Sequence, residues 1–141
     1  MNSYVIPIEI FMADLVLLTG KDEECREYLN KNFGFPDKYL NENINKKFDG
    51  VTLPSEECSV VICWVREPFT KNHENLLHEL DHGANSILRN IGIVKQTDDN
   101  EEVFTYLKSY IQRKVFEKID LSKKKIAKKR IKKNVNSNTN N

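Results

Sequence analysis

Cysteine is scarce and does not pair off. Cys25, Cys58 and Cys63 are an odd number with no CxxC spacing, which argues against a disulfide scaffold and against a cysteine zinc site, and suits a reducing cytosol. Long apolar runs are missing as well. Met1–Gly20 is the most apolar stretch, yet it has no basic n-region and contains Glu9 and Asp14. Neither a secretory leader nor a bilayer span is expected from it, so the reading is a cytoplasmic protein with no membrane contact. Internal repeats are absent. What remains, 141 residues with 39% hydrophobic and 30% charged residues, fits one globular domain with a polar appendage.

Acidic residues are nearly absent from one end. From Lys118 onward there are nine Lys or Arg and a single acid, Asp120, a net charge of +8, whereas residues 1–117 hold 13 bases and 20 acids, a net of −7. The overall +1 therefore conceals an acidic body with a basic tail. We expect a domain over 1–120 and a basic, Asn-rich, flexible tail over 121–141, disordered after about Lys125. Lys123–Lys133 could contact nucleic acid or another polyanion through phosphates. It could equally be solvated or fold back on the acidic body. No aromatics interleave with the lysines, so base stacking is not indicated.

Tyr4–Leu18 reads as extended chain, interrupted at Pro7 and closed at Thr19-Gly20. The acidic run after Lys21 opens a helix to about Asn32, with Leu29 and Phe33 facing the core and Gly34 as its stop. Phe35–Val51 has weak periodicity and reads as loop with at most a short helix. Ser59–Glu67 is the clearest strand, ended by Pro68. Thr70 or Asn72 then caps a helix that runs to Gly92. A last helix is expected over Glu101–Ile119, where Val103, Phe104, Leu107, Ile111 and Val115 form an apolar stripe.

His78, Glu79 and His82 spell HExxH inside the penultimate helix. Residues four apart share a helix face, so both imidazoles can reach one metal ion, while Glu79 is placed to take a proton from the ion's water. A hydrolytic zinc site commonly adds a third protein ligand. Glu102, 20 residues beyond His82 at the start of the last helix, is the candidate, and the adjacent Glu101 competes with it. Tyr106, one turn on, could support a ligand or stabilise an oxyanion. His73, five residues from His78, faces elsewhere. Trp64 and Cys63 read as core.

A strand, an HExxH helix and a second helix with Glu near its start resemble the gluzincin branch of the zincin metallopeptidases. More narrowly, Leu76–Asn85, Gly92 and Asp99–Leu107 are similar to small metallopeptidases encoded by bacteriophages and prophages, which carry His-Glu-x-x-His-Ala/Gly-x-Asn followed by an acidic segment and Glu-x-x-x-Tyr. The resemblance spans about residues 59–116. It implies an α+β, zincin-like minimal domain, a small sheet packed on the HExxH helix and the Glu-bearing C-terminal helix. It further implies Zn2+ held by His78, His82 and Glu102, a peptide or protein substrate, and Glu79 as general base with Tyr106 assisting. The setting would be the host cytoplasm or a virion. In zincins the strand before the active helix is often an edge strand that pairs with extended substrate, which would assign that role to Ser59–Glu67. One departure is Asp81, a charge between the two histidines where such motifs carry uncharged residues. It could hydrogen-bond a ligand ring or mark an exposed face. The alternative function is a non-catalytic phage accessory or virion-associated binding protein of the same fold. No feature assigns an oligomeric state.

Overall fold

The first apolar stretch folds back on itself. In the computed structural model, which describes residues 1–54, 59–66, 73–94 and 97–137 (side chains of Pro54 and 121–137 excepted), strands β1 (Asn2–Ile8) and β2 (Ala13–Gly20) pair antiparallel, with Asn2 opposite Thr19 and Ile8 opposite Ala13. The reversal uses a 3-10 turn at Glu9–Phe11 and a left-handed Met12 (φ 47°), whose amide donates to the Glu9 carbonyl at 3.1 Å. The break was expected at Pro7. Pro7 instead lies within β1, which is an edge strand of the sheet, the position where a strand tolerates proline.

Helix α1 (Asp22–Phe33) begins with Asp22, Glu23 and Glu24 at its positive end and closes at Gly34. A short α2 (Asp37–Asn43) follows. Strand β3 (Gly50–Pro54) begins in the last two residues of the segment read as loop and runs beyond it, and pairs antiparallel with β4 (Val60–Arg66). The stop at Pro68, the cap at Thr70 or Asn72, and Cys58 lie outside the described residues.

The sheet order is β1-β2-β4-β3, with β2 and β4 parallel. This corrects the expectation for Ser59–Glu67. β4 is an inner strand flanked on both sides, and the edge beside it is β3. The sequence of β4 agrees, because Val-Val-Ile-Cys-Trp-Val is apolar at every position, the pattern of a strand covered on both faces. Period-two alternation then sorts the side chains. Leu15, Leu17, Val61, Cys63 and Val65 join the core with α3 and α4, while Val16, Leu18, Ile62 and Trp64 join Leu29 and Leu40 of α1 and α2. The result is a mixed α+β fold of three layers, one helical layer more than the sheet-on-two-helices arrangement expected. Each fully buried Leu or Ile contributes about 1.5–3 kcal/mol of transfer free energy, and both faces of β2 and β4 are dry.

Helix α3 (His73–Asn90) carries the HExxH residues. It sits close against the sheet because Gly83 has no side chain. A Cβ there would come within 2.7 Å of Leu15 Cδ1 and 2.9 Å of Cys63 Sγ. Helix α4 (Glu101–Ser137) runs antiparallel to it, with Lys108 Nζ 3.4 Å from Asp81 Oδ2 and the Phe116 ring 6.3 Å from that of His73. Phe104, Leu107, Ile111, Val115 and Ile119 are buried, as their 3–4 spacing predicts. The backbone then continues as helix through Ser137, across the segment expected to be a flexible tail from 121 and disordered after about Lys125. No Gly or Pro interrupts 101–137, and Lys, Arg, Ala and Leu are strong helix formers. Among the described residues no helix is long and apolar enough to cross a membrane.

Candidate functional site

Around α3 the structure sorts the HExxH positions to different surroundings. His78 and His82 face outward and are exposed, Leu80 points into the core, Glu79 turns toward β3, and Asp81 turns toward α4. The helical offset of 100° per residue produces this distribution. The two imidazoles meet, with Nε2 atoms 3.0 Å apart and rings nearly perpendicular at 88°. Two tetrahedral zinc ligands at ordinary Zn–N lengths of about 2.0–2.1 Å lie roughly 3.4 Å apart. The pair therefore fits two coordination positions with a shift of a few tenths of an ångström.

Glu79, next to His78 in the chain, is buried at 7% exposure and shares a cleft lining with His82. Its Oε2 accepts a hydrogen bond from Thr52 Oγ1 at 2.7 Å, and the same hydroxyl lies 3.1 Å from the Glu79 carbonyl oxygen. The Cys63 thiol donates to that carbonyl at 3.3 Å. Three elements, β3, β4 and α3, thus converge on one glutamate. Gly50 makes the approach possible, since a Cβ there would stand 2.7 Å from Glu79 Cγ. Burial pushes the Cys63 thiol up to about 12, with the Thr52 hydrogen bond opposing and the Glu79 charge assisting. Cys63 is therefore a neutral donor and not a nucleophile at neutral pH.

Glu79 and His82 open onto a cleft of about 410 Å³ lined also by Gly50, Val51, Thr52, Ser86, Arg89 and Asn90. Arg89, two helical turns beyond His82, places a cation at its far end. Thr52 and Gly50 were missed in the sequence, because β3 is short and lies in a stretch without periodicity. Only the placement of β3 against α3 gives them a role.

The other expected residues are not gathered here. Glu102 and Glu101 are exposed in the first turn of α4. The pairings of 108 with 81 and of 116 with 73 put Glu102 level with about residue 87, roughly 7.5 Å along the axis beyond His82. Among the described residues, no three His, Cys, Asp or Glu side chains form a group able to hold a metal ion. Tyr106 lines a separate apolar cleft, with Ile8, Ile10, Phe11 and Leu107, to which no HExxH residue contributes. Asp81 pairs with Lys108, so its charge serves the junction of α3 and α4. His73 packs edge-on against Phe116, away from the histidine pair. Compared with known proteins, the chain matches no family model, no curated protein and no solved structure.

Proposed function

We propose that the protein is a zinc-dependent hydrolase of peptide bonds, with His78 and His82 holding the ion and Glu79 as general base. The observation that carries this reading is the approach of the two Nε2 atoms to 3.0 Å, with one of the two histidines, His82, lining the same cleft as the buried Glu79. When bound, zinc supplies an activated water and polarises the scissile carbonyl. Glu79 takes the water's proton on its carboxylate and returns it to the leaving amine. Thr52 holds Oε2 in place for both transfers, which keeps the orientation of the base from being lost between them. The third position is assigned to Glu102 on its spacing from His82 and on the resemblance to phage-encoded metallopeptidases. That assignment requires Glu102 to approach from its level near residue 87.

Substrate binding follows from the sheet order. Among the described residues β3 is the edge strand nearest the cleft, and an extended peptide pairing with it would become a fifth strand crossing Thr52 and Glu79. Backbone pairing of this kind needs no deep side-chain pocket.

The test measures metal content and peptide cleavage together. Wild type should carry one zinc per chain; His82→Ala should lose it, and Glu102→Ala should lose it if Glu102 is the third ligand. Glu79→Gln should keep zinc while turnover falls by at least about 100-fold. An active Glu79→Gln protein would sink the assignment. A second reading, a binding protein of the same fold, draws on the tie between Glu79 and Thr52, which also serves to clamp α3 to β3. Zinc-loaded wild type that cleaves no peptide in a mixed library would select it.

A further inference from the structure

Helix α4 runs on well past the last of its described side chains in the core. Among the residues whose side chains are described, Ile119 is the last of α4 in the core, and the pairing of Phe116 with His73 puts it about one turn past the level of the first residue of α3. The backbone nevertheless stays helical through Ser137, about 27 Å further at 1.5 Å per residue. This length holds the densest charge in the chain. Between Lys123 and Lys133 eight of eleven residues are Lys or Arg, and no acid follows Asp120.

As helix, that segment spans about 16 Å, one positive charge for roughly every 2 Å of axis. Duplex DNA carries one negative charge per about 1.7 Å. The two charge densities nearly match, and a helix about 10–12 Å across suits a major groove about 12 Å wide. Lysines at 124 and 128, 125 and 129, 128 and 132, and 129 and 133 are like-charged pairs one turn apart, which oppose helix formation in isolation. A polyanion relieves that repulsion. Other polyanion surfaces fit less well. No Phe, Trp or Tyr follows Phe116, so single strands find no stacking platform. The deep, narrow major groove of double-stranded RNA excludes a helix. Leu121, Ile126, Ile131 and Val135 are the only large apolar residues after Asp120, too few for the broad apolar face of a helix lying in a lipid interface.

We propose that Lys123–Lys133 is a helical arm that binds the phosphates of duplex DNA without sequence preference. The arm acts independently of the hydrolase reading. The experiment follows the full-length chain binding a labelled 20-base-pair mixed-sequence duplex by fluorescence anisotropy at increasing NaCl. If about half of the eight cations engage phosphates, log affinity falls against log salt with a slope near −4, a loss of roughly 250-fold between 50 and 200 mM. The quadruple variant K128E/K129E/K132E/K133E should bind at least about 100-fold more weakly. It turns two of the four like-charged pairs, 124 with 128 and 125 with 129, into Lys–Glu pairs, and leaves 128 with 132 and 129 with 133 like-charged, so its helix meets less repulsion than that of the wild type. Circular dichroism should therefore show helix retained, separating lost charge from lost fold. A slope shallower than about −2, wild-type affinity in the quadruple variant, or capture by phosphatidylserine vesicles without duplex binding would each overturn the proposal.

Discussion

Two carboxylates are buried among the described residues, and they are held in different ways. Asp22, at the start of α1, meets the guanidinium of Arg66 at the end of β4, and the same Arg66 also donates to Asp49 and to the carbonyls of Asn45 and Phe48. Glu79, on α3, meets the neutral hydroxyl of Thr52, and among the described residues no cation pairs with it. Burial acts to raise the Asp22 pKa. The Arg66 hydrogen bond, the backbone bond and the charges of Arg66 and Arg26 outweigh it, so Asp22 titrates below the usual carboxylate range. A carboxylate neutralised by arginine is a fastener. One buried against a neutral hydroxyl beside a cleft has no ion pair among the described residues and faces space that a ligand can enter. The difference lies in the partner, since both groups are nearly inaccessible.

Three substitutions break or sharpen that contrast. Arg66→Ala should have the largest effect, because it strands Asp22 and frees two carbonyls. We expect a loss of about 3 kcal/mol of stability, read from the midpoint of urea unfolding. Thr52→Val should cost less, about 1–2 kcal/mol, through one unsatisfied carboxylate oxygen. It should also lower peptide turnover in the hydrolase reading, whereas Arg66→Ala should act on stability first. The smallest effect is the pH dependence of the pair. Asp22 has a folded pKa below its unfolded value of about 3.9. Its contribution is fully present above that unfolded value and disappears as pH falls through the folded one. Unfolding measured from pH 7 to pH 2 should show the stability gap between wild type and Asp22→Asn constant above about pH 5 and closing below it. A gap that widens on acidification would reverse the assigned direction.

Part of this site was legible in the amino-acid order alone. The i, i+4 spacing of His78 and His82 brings their rings together because helix geometry is local, and the stripe from Phe104 to Val115 is buried for the same reason. The segregation of charge was equally plain, since it needs only counting. The division of Tyr4–Leu18 into a hairpin was not, because continuous apolar chain looks alike whether it runs straight or turns at Glu9–Phe11. The position of β4 inside the sheet depends on which strands pair with it. That pairing joins Leu15 to Val61 and Leu53 to Ile62, residues far apart in sequence in the first case and separated by a stretch with no hairpin signature in the second. Thr52, Gly50 and Cys63 acquire their roles through the same pairing, because only the β3–β4 hairpin under α3 brings a hydroxyl, a missing side chain and a thiol to Glu79. The register of α4 on α3, which gives Asp81 to Lys108 and sets Glu102 near the level of residue 87, is decided by side-chain packing between helices. Local periodicity thus determined which residues share a face, and long-range packing decided what each face meets.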